Sequence, residues 1–423
     1  MTRAQRITAP PATALPRLLN REGGPGLDGH AARWGRMPGG GSSLIDEIER
    51  AGLRGRGGAA FPTAVKMRAV LGQRQAVLVA NGAEREPASL KDKALLACSP
   101  HLVLDGISIA AESVGATEAI LCIDRGAPDS LGAVARALTE RSRVGADRVP
   151  IRVEATPGAF VTGEESALVH WLNGGPAKPT FVPPRPFEKG VRGRPTLVSN
   201  VETLADVALI ARFGAGWFRG LGTERDPGST LVTLTGDVGR PGVYEVPYGL
   251  ALGSVVGQAA PRSTPQAVLV GGYSGAWVSF AGAAGLGFDS ASLAQVRATP
   301  GCAALSVLGA DSCGLLETAA VVRWMAGQSA GQCGPCLHGL PALADAFDGV
   351  ASGERRGSAL RRVHDLLGII PGRGACHHPD GVVKMVHSAL TVFAADVEAH
   401  RRRGPCRVRT GVLPLPAGGP VWR

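Results

Sequence analysis

Apolar residues in "SLIDEIERAGL" fall at Leu44, Ile45, Ile48 and Leu53, the spacing of an amphipathic helix. The pattern changes at Ala76–Ala80, where an unbroken β-rich run ending at Asn81-Gly82 predicts a buried strand. "LVLDGISIAAESVGA" returns to helical spacing, and "EAILCID" and "IRVEATPG" predict two further strands. Strands alternating with helices predict a parallel sheet with ligands at the strands' C-terminal ends. Two more helix starts follow, at Glu164-Glu165 in "TGEES", where acidic charge meets a helix dipole, and at Ser199-Asn200 in "SNVETLADVALIA".

From Ser229 to Val278 the texture shifts to short β runs, "TLVTLTGDV", "GVYEVPYG" and "QAVLVGGYSGAWV". Turn signals at Asp237, Arg240-Pro241 and Gly249 separate them, predicting a small β-rich domain. The chain from about Leu305 reads as helical. The longest uncharged run, Ala267 to Phe288, is broken by glycines and serines and reads as strand and loop rather than a membrane span. The predicted organisation is α/β: a disordered lead over 1–43, an α/β domain over 44–225, a β domain over 226–285, a helical domain over 286–400 and a basic tail over 401–423. The Pro/Gly/Arg-rich lead has no apolar core of a signal peptide, so a cytoplasmic protein is expected, held to the inner face of a membrane only through partners.

Composition narrows the function classes. Lys+Arg of 45 against Asp+Glu of 35 gives +10, but aromatics are only 4% and the charges are scattered, which argues against nucleic-acid binding. The only lysines are Lys66, Lys91, Lys93, Lys178, Lys189 and Lys384, so each is informative. Eight cysteines in a long cytosolic chain do not form a disulfide framework, and Cys98, Cys122 and Cys302 read as core residues. The stretch "GLRGRGGAAFPTAVKM" sets Gly55, Gly57 and Gly58 beside Arg54, Arg56 and Lys66. Bare backbone with cations is suited to wrapping a phosphate.

Taken together these motifs resemble the NADH-oxidising flavoprotein subunit (F type) of respiratory complex I and its relatives in NAD-linked hydrogenases and formate dehydrogenases, over roughly Leu44 to His400. The resemblance implies a Rossmann-like FMN/NADH domain, a ubiquitin-like β domain of the soluble-ligand-binding (SLBB) type and a helical iron–sulfur domain. It implies that Gly55, Arg56, Gly57, Gly58 and Lys66 hold FMN and that Phe61 stacks on the nicotinamide nucleotide. "NGAEREP" places Asn81 and Glu84 beside the cofactors and Glu86 as an electrostatic gate near the nicotinamide. The resemblance further implies that Gly163, Glu164, Glu165, Ser199 and Asn200 line FMN and that Phe181 flanks the adenine. Cys333, Cys336 and Cys376 supply thiolates for a [4Fe-4S] or [3Fe-4S] cluster.

Four positions depart from the family pattern. Ala83 replaces an aspartate, Arg85 a glycine, Met67 an aromatic, and Ala330 the first cluster cysteine. Arg85 could meet a 2′-phosphate, so both NAD(H) and NADP(H) are expected donors. Cys313, His338, His377 and His378 are the candidate substitutes for the missing thiolate, and a Cys3His zinc site and a vestigial structural cysteine trio are the competing readings. The expected activity is hydride transfer from NAD(P)H to FMN, then single electrons through the cluster to a ferredoxin-like or [2Fe-2S] partner, which the arginines at 401–403 would suit. The alternatives are a non-catalytic assembly protein and a membrane-associated electron carrier of the RnfC type.

Overall fold

The computed structural model describes residues 9–406 and 410–423. Strands β1 (Val77–Gly82), β2 (Glu118–Asp124), β3 (Ile151–Thr156) and β4 (Thr196–Asn200) form an all-parallel sheet in the order β3-β2-β1-β4. Three of these follow from the pattern. The fourth, "TLVSN", is too short to stand out ahead of the long helix it feeds. β1 is apolar without alternation because both its faces are covered. Leu78 and Ala80 enter the main core, while Val77 and Val79 pack under Leu168 and Val169.

Among the described residues eight helices surround this sheet: α1 (Leu27–Trp34), α2 (Ser43–Ala51), α3 (Thr63–Val70), α4 (Lys91–Cys98), α5 (Pro100–Val114), α6 (Pro128–Val144), α7 (Glu165–Leu172) and α8 (Val201–Phe218). α5 is buried along almost its whole length and crosses α8 closely at Gly106, where a Cβ would stand 1.9 Å from the Leu204 carbonyl oxygen. No single helix among the described residues is long and apolar enough to cross a membrane.

The expected disordered lead is corrected for residues 9–43; residues 1–8 lie outside the described residues. Leu18, Leu19 and Trp34 are buried in the main core. The segment is poor in apolar residues but its polar groups find buried partners. His30 Nε2 lies 2.9 Å from Asp105, which also accepts from Arg141 at 2.6 Å and from Arg212. Burial alone would raise the Asp105 carboxyl, but His30, Arg212 and Arg141 together hold it well below the usual carboxylate range. Arg17 and Leu18 donate their N–H groups to Glu245, and the Arg17 guanidinium lies 4.0 Å from the Trp217 ring centroid.

A second sheet has the order β6-β5-β9-β7-β8. Its strands are β5 (Ser229–Gly236), β6 (Gly242–Pro247), β7 (Pro265–Val270), β8 (Ala276–Ser279) and β9 (Ala304–Gly309), with the short helices α9 (Leu252–Gly257), α10 (Phe280–Ala283) and α11 (Ser290–Ala294). The sequence pattern closes this domain at 285 and makes the following chain helical. Instead β9 is the central strand, parallel to β5 and antiparallel to β7. Three strands and three short helices lie between β5 and β9 in sequence, which hides the pairing from local pattern.

The remainder is helical as expected: α12 (Gly314–Gly327), α13 (Leu340–Ala351), α14 (Ser358–Ile369), α15 (His378–Val392) and α16 (Ala394–Arg403). The tail is not a free basic arm. Arg401 and Arg402 pair with Glu398 within α16, and the described residues beyond it run back across the molecule. Val412 and Leu413 donate to Glu317, the Tyr273 hydroxyl donates to Pro414, and Ala177 donates to Trp422.

Candidate functional site

The C-terminal ends of β1 and β4 meet at a pair of asparagines. Asn81 Nδ2 donates to the Gly163 carbonyl at 2.9 Å, and Asn81 Oδ1 accepts from Ala83 N–H at 3.1 Å. Asn200 Nδ2 donates to the Asn81 carbonyl at 3.3 Å and to Asp92 at 2.6 Å, while its Oδ1 caps α8 through Glu202 N–H at 3.0 Å. A Cβ on Gly57 would stand 3.4 Å from Asn200 Cβ, so the glycine loop runs directly over this edge. Gly58 adopts φ +112°, which favours glycine, beside Gly301 and Cys302.

Lys66 on α3 crosses to the same edge. Its ammonium donates to Glu165 at 2.8 Å and to the Val198 carbonyl at 3.1 Å. Loop backbone and a cation thus come to one edge of the sheet, donors that fit a phosphate, while the start of α7 contributes the Glu165 carboxylate that pairs with Lys66. Phe61 is 48% exposed and Phe181 77% exposed, so both offer faces for stacking.

Other predicted residues do different work. The Arg56 side chain turns away from the loop: it donates to Asp206 at 3.1 Å and to the Pro227 carbonyl at 3.2 Å, with its guanidinium 4.7 Å from the Tyr248 ring centroid. Its backbone N–H is held by Thr203 Oγ1 at 2.8 Å. Glu84 is buried and accepts from Ser89 Oγ at 2.5 Å and from Asp92 and Lys93 N–H at 3.2 Å, fastening the start of α4. Glu164 caps α7 through Ser166 and Ala167 N–H. Arg85, expected to meet a phosphate, holds Asp124 at 2.5 Å and the Gly158 carbonyl. Ala83 is buried.

Glu86 reaches the second sheet, accepting from Tyr273 N–H at 2.9 Å and from Ala88 N–H at 3.2 Å. Burial pushes its carboxyl up to about 7, against the pull of those two donors. Because the folded value exceeds the ordinary 4.5, folding takes up a proton between those limits and stability falls as pH rises through that window. Glu86→Gln is therefore expected to flatten the decline in melting temperature between about pH 5 and about pH 7. An unchanged decline would place the titrating group elsewhere.

Sequence reasoning missed three features here. The turn at Gly271-Gly272 closes on Glu86: a Cβ on Gly272 would stand 2.7 Å from its carboxylate and 2.8 Å from Cys302 Sγ. Cys302, read as a core residue, thus borders the site. Buried Lys91 bridges Asp92 at 2.8 Å and Glu202 at 2.7 Å; burial would drain its proton, but these carboxylates keep it charged. The rarity of lysine was the available signal.

The cysteines lie across a short bridge of rings. Phe160, three residues before Gly163, sits edge-on to Trp324 at 5.6 Å and 5.5 Å from the His378 ring. Cys336 lies in the single turn Pro335–Gly339, Cys333 just before it and Cys376 just before α15. The Cys336 thiol is pushed up to about 12 by burial, with Cys333 and Cys376 adding to the shift. Burial likewise pushes Cys376 up to about 11, against the N–H of His378. The three thiols are thus mutual neighbours. Among the described residues, however, the only His, Cys, Asp or Glu trio with ligand atoms within 4.8 Å of one another is Cys313, His400 and Cys406.

Of the substitute ligands, Cys313 belongs to that other trio, and His338 and His377 are exposed. His378 is buried. Its Nε2 donates to the Met325 carbonyl at 3.0 Å, so Nδ1 carries a lone pair, and Nδ1 has no partner among the described residues. Burial lowers this ring to about 4, which keeps it neutral and able to ligate.

Residues 48–209 match the family described as Nuo51 FMN-binding domain, and residues 317–400 match the NADH-ubiquinone oxidoreductase-F iron-sulfur binding region. The chain is 31% identical over 378 residues to an NADH-quinone oxidoreductase F-type subunit of Rhizobium meliloti, covering 86% of this chain and 90% of that one. It is 30% identical to the HndC protein of the NADP-reducing hydrogenase of Solidesulfovibrio fructosivorans, covering 88% and 79%. A crystal structure of NAD+-reducing [NiFe]-hydrogenase in the H2-reduced state superposes with a TM-score of 0.79 at 34% identity. The match covers 84% of this chain and spans only 62% of the length of that hydrogenase chain.

Proposed function

As a member of the F-type family of NADH-oxidising flavoproteins, to which it belongs, this chain is, we propose, an NADH dehydrogenase (diaphorase) module that uses FMN and an iron–sulfur cluster to pass electrons from NAD(P)H to a partner protein. The observation that carries this reading is the continuity between the two halves: Phe160 joins the Gly163 edge of the sheet to His378, two residues beyond Cys376.

When bound, FMN would supply the chemistry that couples two-electron hydride transfer to single-electron release. The chain supplies the placement. Backbone N–H groups of Gly57 and Gly58 and the Lys66 ammonium hold the phosphate, while the Gly55 and Arg56 N–H groups brace the loop through the Phe61 carbonyl and Thr203 Oγ1. Asn81, Gly163, Ser199 and Asn200 border the ring system, and Phe61 and Phe181 offer stacking faces to the nucleotide. Glu86 sets the charge near the nicotinamide and needs to move no proton for hydride transfer. Cys333, Cys336 and Cys376 hold the cluster, and with Ala330 in place of a cysteine its remaining iron lacks a thiolate. The second sheet serves as the SLBB-like domain. Because Asp124 and Gly158 occupy the Arg85 guanidinium, that group is not free to favour a 2′-phosphate, and NADH is the preferred donor. A [2Fe-2S] or ferredoxin-like protein is the inferred acceptor.

An anaerobic titration of FMN- and iron-loaded protein with NADH and NADPH tests this. Flavin absorbance should bleach with NADH and less readily with NADPH. Protein that binds no flavin and bleaches with neither nucleotide would instead be an assembly protein.

A further inference from the structure

Outside the redox site, three ligating side chains converge where the tail leaves the helical domain. Cys313 stands at the N-terminus of α12, His400 in the last turn of α16, and Cys406 returns after Gly404, whose φ of +85° turns the chain back. His400 and Cys313 are buried and Cys406 is half-buried. Cys313 Sγ lies 3.6 Å and Cys406 Sγ 2.6 Å from His400 Nε2.

The histidine is oriented as a ligand. Its Nδ1 lies 2.7 Å from the Ala351 carbonyl, which can only accept, so Nδ1 carries the proton and Nε2 presents its lone pair to both sulfurs. A carbonyl behind the ring is the usual outer support of a metal-bound imidazole. Without a cation, the same lone pair accepts from the Cys406 N–H at 3.2 Å and from its thiol. In a tetrahedral zinc site, with Zn–S about 2.3 Å and Zn–N about 2.0–2.1 Å, sulfur and nitrogen stand about 3.6 Å apart. The Cys313–His400 pair already has that spacing. Cys406, on a coil segment, must withdraw by about 1 Å to admit the ion.

We propose that Cys313, His400 and Cys406 form a zinc site that fastens the C-terminal tail to the helical domain. On binding, Zn2+ displaces the two thiol protons to solvent and is neutralised by two thiolates, and His400 stays neutral. An external ligand such as water takes the fourth position. The location explains the use. Four residues beyond Cys313 on α12, Glu317 accepts the N–H groups of Val412 and Leu413. Zinc and carboxylate thus pin the tail at adjacent turns of one helix. From there the tail lines a groove with Arg85, Gly158 and Phe160, beside the predicted nucleotide side of the protein. The sequence signal, His-x5-Cys in "HRRRGPC", is masked by the arginines within it.

The test is metal analysis of full-length protein purified under reductant, loaded with Zn2+ and dialysed. Wild type should hold one zinc more than Cys406→Ser, whereas Cys376→Ser should lose iron and keep that zinc. Co2+ in place of zinc should give a thiolate charge-transfer band in wild type that Cys406→Ser lacks. Should the variant fail to fold, alkylation mapping of wild type decides: Zn2+ should protect Cys313 and Cys406. Equal zinc in both proteins, unprotected thiols, or a Cys313–Cys406 disulfide in zinc-free protein would each overturn the proposal.

Discussion

Replacing Lys66 by alanine is expected to cut FMN retention after dialysis by about ten-fold or more. A charge-assisted contact to a phosphate contributes about 1.5–3 kcal/mol, and about 1.4 kcal/mol is a factor of ten in affinity. The geometry adds to the loss. Lys66 also neutralises Glu165, 2.8 Å away, so alanine leaves a carboxylate facing the incoming dianion. Lys66→Ala/Glu165→Gln should recover part of the affinity, and Lys66→Arg most of the charge. Flavin content against protein concentration is the readout. Unchanged occupancy in Lys66→Ala would move the phosphate to another part of the loop.

The second large effect concerns iron. With alanine at 330, a four-iron cluster has three thiolates, and exposure to air is expected to remove about one iron in four and produce a [3Fe-4S] resonance. Ala330 is buried on the loop leading to Cys333, its carbonyl fixed by Lys178 at 2.9 Å, so a cysteine introduced there lies on the cluster loop. Ala330→Cys should retain all the iron in air. Iron analysis and electron paramagnetic resonance of both proteins, before and after oxygen, decide the matter. If His378 Nδ1 already ligates the fourth iron, wild type will keep its iron in air and His378→Ala will lose it. Equal losses from wild type and Ala330→Cys would remove Ala330 from the account.

The residues that carry these predictions were legible because each belongs to a local pattern. Glycines interleaved with cations, an apolar run stopped by Asn81-Gly82 and a Cys-x2-Cys pair are visible within a few residues, and each resembles a family motif. What stayed hidden depends on partners far along the chain. Glu84, Arg85 and Glu86 are consecutive, yet they serve a helix start, the end of β2 and a turn near residue 272 respectively. Arg56 looked like a phosphate ligand until Asp206 and Tyr248 were brought beside it.

Sequence alone determined the alternation that builds a parallel sheet and picked out the glycine loop and the Cys-x2-Cys pair as candidate sites. These follow from side-chain periodicity and from residue types that have few other uses. Tertiary structure decided the placement of β4 and β9, the docking of residues 9–43 and of the tail, and the meeting of Cys313 with His400 and Cys406. Each depends on groups far apart in sequence whose burial is favourable only once the other is in place: Asp105 needs His30, Arg141 and Arg212 together, and no local pattern encodes that sum.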